Sequence, residues 1–404
     1  MTEVLQVLPR SAGARVLACG AWLKNTACLL DGDRVQWSAQ HGDLRDPTAC
    51  AALEASIEQL VAQAQASGGP IDAVAHDLHP DFHSTRVALG WAQRLGVPAV
   101  AVQHHHAHLA AVQAEHGVVE PVVGLALDGV GLGTDGTAWG GELLWVAGTA
   151  TSAPRWRRLG HLHPLSLPGG DAAAREPWRM TAAALHALGR GSEIEARFAP
   201  LVGEQAARIV QTLLARGASC PVTTSAGRWF DAAAGALGWG QRQTFEAQAA
   251  MALEQAATAW LADHEWRADE LVAAAVPIDA DGEVGSGLDL RPLLARLLAL
   301  AESGTADAVG YGAALFHVAL ANGLARWVVQ AAQQHGVHTV VLGGGCFFNR
   351  VLLQRLRHDL QTHAPHASHE TGLRCLAPQD LSCGDAGLAL GQAWAAATEL
   401  RACA

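Results

Sequence analysis

The sequence of 404 residues is short of charge, of paired cysteines and of long apolar runs. Only 16% of the residues are charged and half are hydrophobic, which excludes extended disorder and predicts a well-buried core. The formal net charge of −11 argues against a large phosphate-binding surface, and so against nucleic acid as the main partner. No segment reaches the ~20 uninterrupted apolar residues of a membrane span, and the N-terminus lacks the features of a secretory signal. We therefore expect a cytoplasmic protein.

The cysteines are scattered and form no CxxC pair. This spacing argues against both a thiolate zinc finger and a disulfide framework. Most of the thiols are expected to be small buried apolar groups. Histidine, with 20 copies, is the larger supply of metal ligands.

The order of the predicted elements favours two α/β lobes with a cleft between them. Three short strands over 15–40 form a meander, and a helix follows over 46–65 with Asp46 as its N-cap and Pro47 at its first position. A second β-rich start has two apolar runs around a glycine-rich turn, and the residues from about 170 to 335 are predicted to be mostly helical. The predicted boundaries are a tail at 1–14, a first lobe at 15–120, a second lobe with helical insertions at 121–397, and a tail at 398–404.

Four further elements complete the prediction for the first lobe, and three end the second. The first set alternates strand and helix over 73–78, 84–96, 98–103 and 105–117. The last set is a buried strand from about 338, a helix over 349–363 and a helix over 385–397.

The run QHHHAH at 103–108 places His104 and His108 four positions apart at the start of a predicted helix. Residues at i and i+4 share one helix face, so both imidazoles can reach one metal ion. A bare pair is more often a histidine-rich cap, because two ligands do not make a site. Asp128 ends a strand and Asp385 begins the last helix, which are the places where active-site residues of α/β folds lie. Such a set suits iron or zinc, although Asp385 serves equally well as an N-cap.

The segment LGGGCFFN at 342–349 is a strand, three glycines and a helix start. Such a turn lets backbone N–H groups approach a phosphate. It is neither a Walker A motif nor a dinucleotide fingerprint, so a phosphate loop and a tight packing turn stay equally open. Two readings, an anion contact or a charged surface loop, also stay open for HPLSLPGGDAAAREPWRM at 163–180, for DLHPDFHSTR at 77–86 and for Lys24, one of very few lysines.

Nine ordered segments resemble one family, the hydrogenase-maturation carbamoyltransferases called HypF, and the segment at 167–180 is the most family-specific. They are LACGAWLKNT (17–26), DLHPDFHSTR (77–86), VQHHHAHLAA (102–111), LDGVGLGTDGTAWGGE (127–142), LPGGDAAAREPWRM (167–180), SAGRWFDAAAGALG (225–238), FEAQAAMALE (245–254), LGGGCFFNRVLL (342–353) and DAGLALGQAW (385–394).

The resemblance implies a two-lobed α/β fold of the actin, sugar kinase and Hsp70 type, shared with tRNA threonylcarbamoyl transferases. It implies that carbamoyl-adenylate, made from carbamoyl phosphate and ATP, donates its carbamoyl group to the C-terminal cysteine of the partner HypE. The product would become a cyanide ligand of a NiFe hydrogenase. The family pattern assigns one divalent metal, iron or zinc, to His104, His108, Asp128 and Asp385. It assigns nucleotide contacts to Gly343, Gly344, Gly345 and Asn349, ribose contacts to Asp231 and Glu246, and a phosphate or carbamoyl contact to Lys24.

The chain departs from the family pattern at three small residues. Typical members read SGG, DGG and EGQ where this chain reads GGG at 343–345, DAG at 385–387 and EAQ at 246–248. Each change replaces one small residue with another, so we expect the close approach of the backbone to a ligand to be kept. The acylphosphatase, zinc-finger and YrdC-like domains of full-length members are not visible. The alternatives are tRNA threonylcarbamoyl transfer, O-carbamoylation of a small molecule, and a non-catalytic factor that docks HypE.

Overall fold

The computed structural model of the chain describes residues 4–149, 155–240, 242–264, 276–282, 285–305, 307–363 and 372–403. Within these ranges a six-stranded sheet and a second, larger mixed sheet form two lobes. The elements of the first lobe are β1 (Val4–Val7), β2 (Arg15–Ala18), β3 (Cys28–Asp31), β4 (Arg34–Trp37), α1 (Pro47–Ala66), β5 (Ala73–Asp77), α2 (His83–Leu95), β6 (Ala99–Val102) and α3 (His104–His116).

The remaining elements begin with a long hairpin and include most of the helices. They are β7 (Val122–Leu132), β8 (Ala138–Val146), β9 (Trp156–Leu162), β10 (Leu165–Ser166), α4 (Asp171–Arg175), α5 (Trp178–Ala187), α6 (Ile194–Val202), α7 (Glu204–Arg216), β11 (Val222–Thr223), α8 (Ala226–Ala236), α9 (Gln248–Asp263), β12 (Ile278–Gly282), β13 (Gly285–Leu288), α10 (Arg291–Glu302), α11 (Ala308–His335), β14 (Thr339–Gly343), α12 (Arg350–His363), β15 (Arg374–Leu376) and α13 (Leu388–Cys403). Single 3-10 turns lie at Gly191–Glu193, Gly345–Phe348 and Asp385–Gly387.

Both sheets share one core order. The first runs β4-β3-β2-β5-β6 with β1 added at its edge, and the second contains β9-β8-β7-β14-β15. In each, three antiparallel strands come first in the chain and two parallel strands complete the sheet. These two sheets with their helices confirm the predicted two-lobed α/β fold.

The helix that ends each core crosses to the other lobe. In α3, which follows β6, Leu109 and Val112 pack in one cluster with the strands of the second sheet. In α13, which follows β15, Leu390 and Trp394 pack in one cluster with the strands of the first sheet. The two helices also contact each other, and a Cβ at Gly391 would collide with the backbone carbonyl of Ala107 on α3. The helix starts from both halves of the chain therefore meet at one point.

Most predicted elements are confirmed, with ends shifted by a few residues. Asp46 accepts a hydrogen bond from the amide of Thr48, as expected of the N-cap of α1. The last helix was predicted over 385–397 and instead begins at Leu388, after a 3-10 turn. The strands β9 to β13 and β15 were missed, because strands as short as β10, β11 and β15 show no alternation. β1 and the end of α13 fall in the two predicted tails, and the lobe boundaries stay predictions.

The long helix α11 forms the centre of the second lobe. It is long and apolar enough to span a membrane, with a mean hydropathy of 1.3, but 83% of that 18-residue window is buried inside the protein. A helix that is apolar on all sides is equally the expected core of a large domain. The burial of its side chains accounts for the composition.

Candidate active site

Two histidines of α3 face the cleft from the first turn of the helix. The N-cap Gln103 fixes the helix start, because its side-chain oxygen accepts a hydrogen bond from the amide of His106 at 2.9 Å. His104 and His108 lie on one face, with ring centroids 4.9 Å apart, as the four-residue spacing predicted. Both side chains are buried.

Two carboxylates, Asp128 on β7 and Asp385 in the 3-10 turn before α13, meet these imidazoles. The Nε2 atom of His104 lies 3.4 Å from Asp128 Oδ2 and 3.5 Å from Asp385 Oδ1. The Nε2 atom of His108 lies 3.8 Å and 3.6 Å from the same oxygens. The structure thus brings together all four residues that the family pattern assigns to a metal, with one donor atom of each within 4.8 Å of the others.

The donor set fits a divalent ion. Both Nε2 atoms are buried without a hydrogen-bond partner in the parts of the chain described. Metal bonds of about 2.1 Å to nitrogen and oxygen separate tetrahedral ligand atoms by roughly 3.4 Å, close to the distances found here. Two imidazoles and two carboxylates are a set that iron and zinc accept.

Asp77 is a site residue that the sequence analysis missed. It ends β5 and is fully buried, and its Oδ2 atom accepts a hydrogen bond from His104 Nδ1 at 2.7 Å. Its Oδ1 atom accepts from the amide of His79 at 2.9 Å. A carboxylate on the far ring nitrogen fixes the tautomer that leaves Nε2 free for a ligand. Its place at the end of a buried strand, which drew attention to Asp128, was the signal available.

The charges of the site reinforce one another. Burial lowers the pKa of His104, but the surrounding carboxylates outweigh burial and raise it well above its usual value. The pKa of His108 is raised in the same way. Burial raises the pKa of Asp128 and of Asp385, yet the two neighbouring imidazoles outweigh burial and hold both values below the usual range. The two imidazoles thus favour the charged form of the two carboxylates, and the carboxylates favour the charged form of the imidazoles.

The two other histidines of the run are structural. Burial lowers the pKa of His105 well below its usual value and that of His106 to about 4, so both are neutral. Gln103 Nε2 donates to His105 Nδ1 at 3.0 Å. The ring of His105 lies against Trp139, and the ring of His106 lies against Trp156.

The glycine turn after β14 packs tightly on the β7 hairpin. Gly344 has φ 101° and ψ 153°, and a Cβ there would collide with the backbone of Leu127. The amide of Gly344 donates to the carbonyl of Cys383, and the amide of Gly345 donates to Asp128 Oδ1, both at 3.0 Å. These two N–H groups thus position the ligand set, as in the packing-turn reading. Contact with a nucleotide at Gly343, Gly344 and Gly345 stays a prediction.

Both the oxygen and the nitrogen of the Asn349 side-chain amide have hydrogen-bond partners within the protein. Its Oδ1 accepts from the amide of Leu352 and so caps α12, while its Nδ2 lies 2.8 Å from His317 Nε2. His317 Nδ1 in turn donates to the carbonyl of Ala313, and burial lowers the pKa of His317 to about 4. The structure shows a structural role for Asn349, and its predicted nucleotide contact stays a prediction.

Lys24 is the only lysine in the chain. Its Nζ atom lies 2.9 Å from Glu246 Oε2, so the first hairpin of one lobe pairs with the start of α9 in the other. Burial lowers the pKa of Lys24, but the pairing with Glu246 and the charges of Asp385 and Asp128 raise it overall. Lys24 has φ 46° and the neighbouring Ala247 has φ 61°, a left-handed conformation that L-residues rarely adopt. The pair is about half exposed and so within reach of a ligand.

Asp231, the other predicted ribose residue, is buried on α8. Its Oδ2 atom lies 2.8 Å from Arg228 Nε, and Gln243 Nε2 approaches its Oδ1 atom at 3.4 Å. Burial raises the pKa of Asp231 to about 6 despite this neighbouring charge.

In the family-specific segment at 167–180, one arginine is half-buried and paired within the segment. Arg179 Nε donates to Glu176 at 2.6 Å, whereas Arg175 and Asp171 are exposed.

Two profiles of one protein family match the chain. One is described as the HypF Kae1-like domain and covers residues 11–115. The other is described as the carbamoyltransferase, Kae1-like domain, second subdomain, and covers residues 124–392. This chain belongs to the HypF carbamoyltransferase family. The two matches divide between the two lobes.

Relatives support the assignment along nearly the whole chain. The chain is 58% identical over 395 residues to a carbamoyltransferase HypF homolog of Cupriavidus necator, covering 98% of this chain and 94% of that protein. It is 40% identical to the carbamoyltransferase HypF of Rhizobium leguminosarum bv. viciae, covering 94% of this chain but 45% of that protein. The crystal structure of full-length HypF in a phosphate- and nucleotide-bound form superposes with a TM-score of 0.81 and 29% identity, over 98% of this chain and 47% of that chain. The HypF chain thus spans about half the length of the longer relatives.

Proposed function

We propose that this chain transfers a carbamoyl group from carbamoyl-adenylate to the C-terminal cysteine of HypE in the maturation of NiFe hydrogenase. The observation that carries this proposal is the convergence of His104, His108, Asp128 and Asp385 in the cleft, with Asp77 behind His104. Relatives along the chain are named carbamoyltransferase HypF, and a related structure holds phosphate and nucleotide.

In the proposed reaction the thiolate of HypE attacks the carbamoyl carbon. The carbon–sulfur bond forms, the bond from that carbon to the phosphate oxygen of the adenylate breaks, and AMP leaves with the electron pair. A divalent ion held by the four ligands would polarise the carbamoyl carbonyl or neutralise phosphate charge. Lys24, whose charge interacts with those of Asp385 and Asp128, would bind the same oxygens, and Asp77 would keep His104 in its tautomer.

Asp231 and Glu246 are the proposed ribose contacts. A carboxylate accepts two hydroxyl hydrogen bonds, which suits the vicinal hydroxyl groups of a ribose. Asp231 is buried on α8, and Glu246 lies just before α9, paired with Lys24. The amides of Gly344 and Gly345 already donate to acceptors within the protein. The glycines would therefore leave room for the nucleotide and not supply hydrogen-bond donors to it.

The direct experiment mixes the purified chain with HypE and supplies either carbamoyl phosphate with ATP or carbamoyl-adenylate itself. The mass of intact HypE is then measured, with a HypE variant whose C-terminal cysteine is replaced by serine as the control. We expect a carbamoyl adduct on the cysteine form alone. The absence of an adduct with carbamoyl-adenylate supplied would overturn the proposal, and an adduct on tRNA or on a small alcohol would favour an alternative acceptor.

The two supplies of substrate separate two questions. An adduct from carbamoyl-adenylate but not from carbamoyl phosphate with ATP would show a transferase that receives its adenylate from another catalyst. An adduct from both would show that the same chain also forms the adenylate.

A further inference from the structure

The first turn of α8 is fixed against the hairpin that carries Asp128. The N-cap Ser225 donates its hydroxyl hydrogen to the carbonyl of Gly129 at 2.6 Å, lies 3.0 Å from the carbonyl of Asp128, and accepts from the amide of Arg228. A Cβ added to Gly227 would lie 3.2 Å from the Cα of Gly129, so helix and hairpin are in close contact. Arg228 therefore directly follows a residue that packs on Gly129, the neighbour of Asp128.

Arg228 and Asp231 are close but poorly paired. The Nε and Oδ2 atoms lie 2.8 Å apart, yet both are buried and neither has a partner in hydrogen-bond geometry among the described residues. A buried charge without a proper hydrogen bond is costly. An arrangement in which each group found a better partner would therefore be favoured.

The glycine turn and the first turn of α8 contact the same point of the β7–β8 hairpin. The amide of Gly345 donates to Asp128 Oδ1 at 3.0 Å, and the hydroxyl of Ser225, three residues before Arg228, donates to the carbonyl of the adjacent Gly129 at 2.6 Å. Because the amides of the glycine turn are already engaged, a phosphate beside that turn needs other donors. A guanidinium is suited to this, since it offers two parallel N–H groups to phosphate oxygens.

The other cation of the cleft shows the same arrangement. Lys24 is paired with Glu246, and Arg228 with Asp231. Each proposed ribose carboxylate thus lies against one cation.

We propose that Arg228 is a phosphate-binding residue of the nucleotide site, held by Asp231 until the ribose hydroxyls take that carboxylate. This inference rests on the proposed function. On binding, two ribose O–H groups would donate to Asp231, and the released guanidinium would donate to the phosphate next to the ribose. Ribose and phosphate recognition would then be coupled through one side chain.

The test compares the affinities for adenosine and AMP, measured by calorimetry on the whole chain. The ratio of the two affinities isolates the phosphate, because both ligands share base and ribose. For Arg228→Gln we expect AMP to bind at least about tenfold more weakly, with adenosine changed less than about twofold. Arg228→Lys should recover part of the AMP affinity. The matched control is Arg208→Gln, which removes an exposed arginine paired with Glu195 and should change neither affinity.

Three outcomes would overturn the assignment. Equal weakening of both ligands by Arg228→Gln would make the residue merely structural, and no change for AMP would remove it from the phosphate site. Wild-type protein that binds neither ligand would overturn the proposed nucleotide site itself, and with it this inference. If the wild-type chain binds both adenosine and AMP, the proposed nucleotide site stands, and only the role of Arg228 is refuted by either of the first two outcomes.

A second variant keeps the proposal open to refutation if Arg228→Gln does not fold. Asp231→Asn removes the ribose contact and frees the guanidinium, so adenosine should bind more weakly while the ratio of AMP to adenosine affinity is kept or rises. A fall of that ratio in a folded Asp231→Asn protein would contradict the coupling.

Discussion

In the first lobe the fourth core strand, β5, ends in Asp77, whereas in the second lobe the equivalent strand, β14, runs into the turn of Gly344 and Gly345. The buried carboxylate supports His104 from behind, and the glycine turn supports Asp128 through a backbone amide. The first hairpins differ as well, since one carries Lys24 and the other Asp128. The two lobes thus share one strand order but carry different functional groups at equivalent strand ends and hairpins.

The difference shows how the site depends on both lobes. Helix α3 supplies the two imidazoles, whereas β7 and the 3-10 turn before α13 supply the two carboxylates. Thr26 in the first hairpin also donates to the carbonyl of Ala386 at 2.8 Å, which holds the turn that carries Asp385. The crossing of α3 and α13 brings these parts together.

The largest expected effect removes the contribution of the first lobe. His104→Ala combined with His108→Ala should reduce bound iron or zinc to the background measured by elemental analysis, and abolish carbamoyl transfer. The chain should stay folded by circular dichroism, because the surrounding sheets are unchanged. His358→Ala, on the exposed face of α12, is the control and should keep its metal. Full metal content in the double variant would place the site elsewhere.

The next effect concerns the glycine turn of the second lobe. Gly344→Ala would place a Cβ at φ 101° against the backbone of Leu127, and should lower the free energy of unfolding by at least about 2 kcal/mol. Gly90→Ala is the matched control in the first lobe. No atom lies near its Cβ position inside α2, so it should stabilise by about 0.5–1 kcal/mol. Chemical denaturation of both variants measures this, and equal effects would refute the backbone requirement.

A smaller effect tests the support that the first lobe gives to its own ligand. Asp77→Asn should weaken metal affinity about 10–100-fold, because His104 loses the carboxylate that fixes its tautomer. Asp72→Asn is the control, since Asp72 accepts a backbone hydrogen bond from Arg15 at 2.7 Å far from the ligands. Competition with a chelator measures the affinities. Unchanged affinity for Asp77→Asn would show that the carboxylate is dispensable.

The smallest effect tests the departure at Ala247, where typical relatives have glycine. The sequence alone suggested that one small residue simply replaces another, but φ is 61° here, a conformation that costs alanine more than glycine. Ala247→Gly should therefore raise the free energy of unfolding by about 0.5 kcal/mol. Ala259→Gly, in the exposed interior of α9, should lower it by about 0.5–1 kcal/mol. A thermal melt in which both variants lose stability would contradict the strain.

Much of this protein was readable from local pattern. The alternation of strands and helices, the common face of His104 and His108, and the N-cap of α1 depend on residues a few positions apart, so the sequence determined them. The sequence places Asp77 at the end of a buried strand, which is a local pattern. Its hydrogen-bond partner, His104, lies on another element and could not be identified from that pattern.

The remaining features were decided by the tertiary structure. Asp128 and Asp385 reach the imidazoles only because the two lobes place equivalent strand ends opposite each other and exchange α3 and α13. The pairing of Lys24 with Glu246 across the cleft likewise has no counterpart in sequence spacing. Local preferences act over one turn or one hairpin, whereas these contacts join distant segments through sheet register and helix packing, which no short pattern encodes.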